Sequence, residues 1–188
     1  MATASLIGRE TFDLGPCSVA VDTASGGANL DLGDSESVTV SIETEKAEMK
    51  GAKYGTAPAN RTVTGQKVMI KMIMAQATLE RLAQTLQGFR LNTNTAGTIL
   101  GFSYGSAIGE DDLSIANQMT LTRWKEGADS SDTFDAIDFW LAAASGTAEL
   151  LYDASTQRNV ALEFMCYLSE NHLDSEGKPT FFGSGVYA

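Results

Sequence analysis

VTVSIETEKAEMK, residues 38–50, and TVTGQKVMIKMIM, residues 62–74, are two long runs in which apolar and polar residues alternate. This two-residue period is typical of β-strands, because successive side chains of a strand point to opposite faces of the sheet. Between the runs lies GAKYGTAPANR, whose glycines, proline and asparagine favour turns. The stretch therefore predicts two long strands joined by a loop, from Lys50 to Arg61, that is longer than a hairpin needs.

The faces of the two predicted strands differ in polarity along their length. Beyond Glu43 the first strand becomes polar, so we expect it to leave the core there and run into a projecting loop. In the return strand neither face is strictly polar, so we expect both faces to be covered at least in part. One face carries Val68, Ile70, Met72 and Met74, and the other carries Lys67, Met69, Lys71 and Ile73.

A helix is predicted directly after the second strand, from about Gln76 to Gln87. Thr78 is suited to its N-cap and Gly88 to its C-terminal stop. Its apolar residues recur at the spacing of one helical face, which predicts packing onto the sheet. They are Leu79, Leu82, Ala83 and Leu86.

The rest of the sequence predicts further strands, joined by loops of small and acidic residues. The predicted strands are Ser18–Asp22, Thr98–Tyr104, Leu113–Trp124, Thr133–Ala143, with Ile137, Phe139 and Leu141 on one face, and Arg158–Leu168, with Val160, Leu162, Phe164, Cys166 and Leu168 on one face. This pattern predicts a mainly-β fold, a β-sandwich or barrel with one flanking α-helix and a long projecting β-hairpin loop. We expect a single domain over residues 1–188, with residues 1–12 and 181–188 as flexible or assembly-dependent tails.

The composition excludes several classes of function. A net charge of −11 disfavours tight binding to a nucleic-acid backbone, and it is open whether the charge serves solubility or lines a surface that repels a polyanion. No apolar run reaches the roughly 18 residues of a membrane span, and the first residues lack the features of a signal peptide, so we expect a cytoplasmic site of synthesis.

Catalytic, metal and cofactor sites are not expected. Cys17 and Cys166 lie in strand-like apolar contexts, which is typical of buried structural cysteines. His172 is the only histidine and lies in a polar stretch, where a solvated loop residue is expected; a base, a nucleophile and a stabilising group cannot be assembled around it. The acidic triplet from Glu110 to Asp112 lacks the spacing of a calcium loop, so a solvated turn is expected there.

The block from Leu32 to Leu86 resembles the major tail tube proteins of tailed bacteriophages. The resemblance is carried by LGDSESVTVSIETE, by KGAKYGTAPANRTVTGQKV and by ATLERLAQTL. Within these, the Tyr-Gly-Thr-x-Pro element at residues 54–58 and the Thr-Gly pair at residues 64–65 are the most similar to the family. The resemblance covers about a third of the chain.

This resemblance implies a structural protein of the virion tail, assembled in the host cytoplasm, and not an enzyme. Such proteins form hexameric rings that stack into a tube, in which strands of the subunits join into one closed barrel. The lumen holds a tape measure protein and later conducts DNA without binding it specifically. Further implied partners are the tail terminator, the baseplate or tip proteins and, in contractile tails, a sheath protein; no membrane is implied.

The resemblance also assigns roles to residues of the hairpin. The loop reaches a neighbouring subunit or ring, with Tyr54 as an aromatic anchor; its residues are Lys50, Lys53, Tyr54, Thr56, Pro58 and Arg61. Glu43 and Glu45 are the lumen candidates of the first strand. Lys67 and Lys71 on the return strand would offset part of that acidic charge.

Two alternatives remain open from the sequence. A hexameric tube protein of a contractile secretion system would share the architecture but conduct protein. A carbohydrate-binding β-sandwich would expose an aromatic platform, for which Trp124, Trp140 and Tyr152 are available, although Trp140 lies in a strand expected to be buried.

Overall fold

A computed structural model describes residues 17–22, 30–33, 35–50, 58–74, 78–105, 108–125, 128–129, 135–145, 149–150 and 160–184. Strands predominate among these residues, and the two helices between them are short. The predicted mainly-β fold is thereby confirmed. Neither helix is long and apolar enough to cross a membrane, a finding that holds for the described residues.

The elements follow one another in this order: β1 Cys17–Val21, β2 Leu30–Asp31, β3 Ser35–Lys50, β4 Pro58–Met74, α1 Leu79–Thr85, β5 Phe89–Thr93, β6 Ile99–Tyr104, α2 Asp112–Ile115, β7 Asn117–Lys125, β8 Ala128–Asp129, β9 Ala136–Ala144, β10 Glu149–Leu150, β11 Val160–Tyr167, β12 Ser169–Leu173, β13 Pro179–Thr180 and β14 Phe182–Gly183.

One large antiparallel sheet forms the body of the fold. Its strands lie in the order β2–β1–β7–β9–β11–β4–β3, while the short strands β8, β14 and β10 pair with β7, β9 and β11. The sheet curls so far that β3 approaches β1: the Ser35 hydroxyl at the start of β3 donates to the Cys17 carbonyl of β1 over 3.5 Å. The described strands do not close into a barrel. Two further hairpins, β5–β6 and β12–β13, stand apart from this sheet.

The core lies on the inner face of the curl and follows the predicted alternation. In β4, Val68, Ile70, Met72 and Met74 are no more than 2% exposed. On the opposite face Lys67 and Lys71 are exposed, whereas Met69 and Ile73 are half-buried. In β11 the predicted inward residues are buried up to Cys166, but Leu168 is 48% exposed, because the strand ends at Tyr167.

The face predicted for β9 is correct only as far as Phe139. From the pair Met119–Phe139 to the pair Asn117–Ala142, β7 moves by two residues and β9 by three. The pairing therefore contains a bulge with one extra residue in β9. A bulge shifts the alternation by one residue. Ala142 therefore joins the buried core, and Leu141, which the sequence placed there, is half-buried outside that cluster.

Helix α1 covers the inner face of the sheet with the predicted stripe. Leu82 is buried in the core, and Leu79, Ala83 and Leu86 pack against it. The Thr78 hydroxyl accepts from the amide of Arg81, which confirms the N-cap. Arg81 in turn donates to the carbonyl of Asp31, and its guanidinium lies against Gly33, whose φ is +80°. The helix is shorter than predicted, and residues 76–77 lie outside the described residues.

The strand predicted from Leu113 begins later than expected. Residues 112–115 form the short helix α2, capped by the Asp111 carboxylate, which accepts from the amide of Leu113. Strand β7 begins only at Asn117. The phenol of Tyr167 on β11 donates to the Asp112 carboxylate over 2.7 Å, so a side-chain hydrogen bond ties α2 to the sheet.

This hydrogen bond should make the protein lose stability at high pH. The Asp112 carboxylate holds the phenolic proton and, with burial, raises the pKa of Tyr167 to about 12. Between a pH of about 10 and a pH of about 12 the native state therefore keeps a proton that the unfolded chain releases. The free energy of unfolding falls as the pH rises through this range. We expect Asp112→Asn to lower the pKa of Tyr167, measured by ultraviolet titration against a Tyr167→Phe reference. Asp138→Asn is the control, and an unchanged titration in Asp112→Asn would contradict the assignment.

The segment from Phe181 onward is not a free tail where the structure describes it. β14 pairs with β9, and the rings of Phe182 and Phe139 lie 5.2 Å apart. The amide of Trp140 donates to the Phe181 carbonyl over 3.2 Å. In this structure residues 181–184 therefore belong to the sheet, and Phe181 and Phe182 pack against the core. Residues 185–188 and 1–12 lie outside the described residues.

Candidate assembly surface

The far half of the β3–β4 hairpin extends beyond the core as a two-stranded ribbon. We call residues 43–50 and 58–67 the projecting ribbon. The side chains of residues 43–48, 60–64, 66 and 67 are all exposed, on both faces. At about 3.3 Å per residue, the strand from residue 43 to residue 50 reaches roughly 25 Å past the covered part of the sheet. None of the described side chains of the projecting ribbon belongs to the core of this chain.

The predicted assembly loop is shorter than the sequence indicated. Pro58 pairs with Lys50, and Arg61 pairs with Glu48, so both ends of the predicted loop belong to the ladder. The ion pair between Arg61 and Glu48, at 2.8 Å, supports this pairing. Of the other predicted loop residues, Lys53, Tyr54 and Thr56 lie outside the described residues.

The four lumen candidates lie on one face of the hairpin, the face that points away from the core. Glu43 stands directly opposite Lys67, and Glu45 stands opposite Gly65. Lys71 stands opposite Glu163 of β11, with 3.5 Å between the ammonium and the carboxylate. Of the two lumen carboxylates only Glu43 therefore has a lysine opposite it, because Lys71 pairs with Glu163 and Glu45 faces a glycine.

The other face of the projecting ribbon is continuous with the core face of the sheet, but its side chains are exposed. Ile42, at the base, is 58% exposed and Val63 is 51% exposed. A bulge lies between the pairs Glu45–Gly65 and Lys46–Val63, and it shifts Val63 from the outer face onto this face. The β3–β4 hairpin thus presents two separated apolar side chains to the solvent, Ile42 at the base of the projecting ribbon and Val63 within it.

The β5–β6 hairpin carries a second uncovered apolar surface, which the sequence interpretation missed. Phe102 and Tyr104 share one face of β6 and are 54% and 72% exposed; we call these two side chains the open face. Leu100, at a bulge between the pairs Asn92–Gly101 and Thr93–Ile99, is 71% exposed. On the same face of β5, Phe89 is buried and Leu91 packs against the core. Alternation in ILGFSY predicted the strand, but nothing in it distinguishes a covered face from an open one.

His172 is a packed residue and not the solvated loop residue that the sequence predicted. It lies in β12, where its ring stacks on Trp140 with 3.8 Å between the ring centroids. Its Nδ1 is 2.9 Å from the hydroxyl of Ser169. Trp140 is 6% exposed and donates its indole N–H to Thr180. The histidine and its neighbours therefore fasten the β12–β13 hairpin to the sheet.

The remaining candidate groups are engaged in the fold. Burial raises the pKa of both thiols, that of Cys166 to about 12, so neither is poised as a thiolate. In the acidic triplet, Glu110 pairs with Arg90 at 3.2 Å, while Asp111 caps α2 and Asp112 accepts from Tyr167. No three His, Cys, Asp or Glu residues of the described part are grouped as a metal site would require.

A cleft of about 550 Å³ opens between the two helices and the inner face of the sheet. Phe89, Met119 and Phe164 line its apolar floor, and the Arg90–Glu110 pair lies at its edge. For a glycan platform, Trp124 is exposed and Trp140 is buried, whereas Tyr152 lies outside the described residues. The two tryptophans therefore do not form one exposed platform.

Comparison with solved structures finds chains of tail and secretion assemblies. One is from the tail of an empty gene transfer agent particle with C6 symmetry, at a TM-score of 0.48 and 8% identity over 80% of this chain and 90% of that one. Another is from the virion of a native gene transfer agent, at 0.44 and 6% over 80% and 89%. A type six secretion system protein gives 0.26 and 12% over 90% and 92%.

No protein-family profile matches the chain, and no curated protein matches its sequence.

Proposed function

We propose that the chain is the structural subunit of a tail tube, in which hexameric rings stack around a lumen that conducts DNA. The observation that carries the proposal is the projecting ribbon, exposed on both faces over residues 43–48 and 60–64. An isolated two-stranded ribbon is at best marginally stable in water. Neighbouring copies that cover it would supply the contacts that its own chain lacks.

The outer edge of β3 supports the same proposal. β3 is 16 residues long and lies at the end of the sheet, with β4 as its one strand partner among the described residues. A long unpaired edge is a site for pairing with another chain, and proteins that remain monomeric shorten or block such edges. If the free edge of β3 in each copy paired with a strand of the next copy around a ring, the strands would form the shared barrel that the resemblance to tail tube proteins implies.

The outer face of the hairpin is suited to line the lumen. Glu43 lies opposite Lys67 and Lys71 lies beside Glu163, while Glu45 faces a glycine, so this face carries a small excess of negative charge. Tight binding of DNA requires an excess of cations that displaces counterions from the phosphates, and this face has none. Passing DNA would therefore meet a polar wall to which it does not adhere.

The proposed location is the virion tail, after assembly in the host cytoplasm. Within the tube the partners would be other copies of the chain and the tape measure protein; at its ends they would be the terminator and the baseplate or tip proteins. A surrounding sheath would accompany a contractile tail.

Negative-stain electron microscopy and light-scattering mass of the concentrated protein test this proposal. We expect six-fold rings or hollow tubes, because the uncovered ribbon and the β3 edge both favour association. A dilution series is the control, since reversible stacking shortens the particles as the concentration falls. A protein that remains monomeric up to its solubility limit would contradict the proposal.

A further inference from the structure

The cleft between the two helices and the inner face of the sheet is an apolar surface that the described part of the chain leaves open. Its floor is formed by core residues, Phe89, Met119 and Phe164. Four further apolar side chains that line it are only half-buried: Ala83, Leu86, Ile115 and Ala144. Its volume of about 550 Å³ is typical of pockets that enclose several apolar groups. The occupant that fits it is therefore apolar.

Residues 1–16, which precede β1, are long enough to reach this cleft. β1 begins at Cys17, and its last residue, Val21, lines the cleft about 13 Å further along the strand. The ten residues from Ile7 to Cys17 span up to about 33 Å. Gly15 and Pro16, directly before the strand, favour a turn, which would direct the preceding residues back along β1 towards Val21.

The sequence of this segment matches the cleft in polarity. Its large apolar residues are Leu6, Ile7, Phe12 and Leu14. Burying such side chains supplies the free energy for docking. At the edge of the cleft, Arg90 and Glu110 lie 3.2 Å apart, and the segment offers each of them an opposite charge, in Glu10 and Arg9.

We propose that residues 6–12 fold back and fill the cleft of their own chain, with Leu6 and Ile7 packed between α1 and the floor. The inference differs from the sequence-based expectation that residues 1–12 form a flexible or assembly-dependent tail. It goes beyond the proposed tube function and does not depend on it. Because the contact lies within one chain, it forms at any protein concentration and closes an apolar site that would otherwise attract other proteins.

The reactivity of a thiol placed in the cleft tests this inference. Cys17→Ser removes the half-buried native thiol, Cys166 is buried and reacts slowly, and Ala83→Cys places the reporter on the wall of the cleft. In this background we expect Leu6→Asp with Ile7→Asp to speed labelling of the reporter by an aromatic disulfide at least about ten-fold. The loss of two apolar contacts raises the fraction of time for which the cleft is open.

Thr3→Asp with Ser5→Asp is the matched control, because it adds the same charge to the same segment and removes no large apolar side chain. Labelling should then stay slow, and a second reporter, Leu173→Cys on the exposed side of β12, should react equally fast with every version of the segment. Equal labelling of the cleft thiol with and without Leu6→Asp and Ile7→Asp would overturn the inference. Protection that disappears on dilution would overturn it too, since another copy would then cover the cleft. The tube function would stand in both cases.

Disulfide formation provides a direct measurement that removes no charge and needs no disruption of the segment. In the Cys17→Ser protein, Ile7→Cys with Ala83→Cys should form a disulfide within one chain on mild oxidation, because the two α-carbons come within bonding range when the segment is docked. Ile7→Cys with Leu173→Cys is the geometric control and should stay reduced. Failure of the first pair to close, or equal closure of both pairs, would overturn the inference.

Discussion

Joining Glu43 to Lys67 by an Asn-Gly turn, in place of residues 44–66, should abolish tube formation and leave the domain folded. The two residues stand opposite each other in the ladder, so a two-residue turn can close the shortened hairpin. The deletion removes only strand beyond the core, and the four buried residues of β4 keep their positions: Val68, Ile70, Met72 and Met74. We expect self-association to fall by at least about 100-fold, equivalent to roughly 3 kcal/mol, measured by light scattering and electron microscopy.

The control for this deletion leaves the ribbon in place and changes its charge only. Glu48→Gln with Arg61→Gln breaks an exposed ion pair, which contributes at most about 1 kcal/mol, so tubes should still form. Normal tubes from the shortened chain would show that the ribbon has no part in assembly. Loss of native circular dichroism in the shortened chain would show that the ribbon supports its own domain.

Replacing Phe139 with alanine should remove a large part of the stability of the monomer. The side chain is 1% exposed, pairs across the sheet with Met119 and contacts the ring of Phe182. Deleting a buried phenylalanine ring costs about 3–5 kcal/mol, because the transfer free energy is lost and a cavity remains. For a domain of this size, that corresponds to a fall in Tm of roughly 10 °C.

Urea denaturation measures this effect as a lower midpoint at an unchanged slope. Leu100→Ala is the control: Leu100 is 71% exposed, so the free energy of unfolding should change by no more than about 0.5 kcal/mol. A Phe139→Ala midpoint close to that of the unaltered protein would mean that β14 and β9 do not enclose this ring.

Burial could be predicted from sequence wherever a strand has one covered face. Val68, Ile70, Met72 and Met74 of β4 and Val160, Leu162, Phe164 and Cys166 of β11 show this, because every second side chain points to the core. The alternation failed at Ala142, where the bulge opposite β7 shifts the faces by one residue. A bulge is set by the pairing of two strands, so the sequence of one strand does not reveal it.

The extent of the hairpin was harder to predict for a different reason. Around Glu48 and Arg61 both faces of the strands are polar, so no alternation marks them, and proline and asparagine in the return segment favour a turn. These residues are in the ladder because they pair with each other. The open face was missed because alternation at Phe102 shows which residues share a face, and only the position of the hairpin shows whether that face is covered.

Strand β11 lies between β4 and β9, and this position bears on how the protein is synthesised. Met74, the last residue of β4, pairs with Val160, the first of β11, across 86 residues of chain. Contacts so distant in sequence form late and slow folding. During synthesis, the β3–β4 hairpin therefore leaves the chain's growing end before β11 exists, and the apolar side chains of β4 are exposed until β11 pairs with it. A cell that makes many copies at once would need chaperones to keep these unfinished hairpins from pairing with one another.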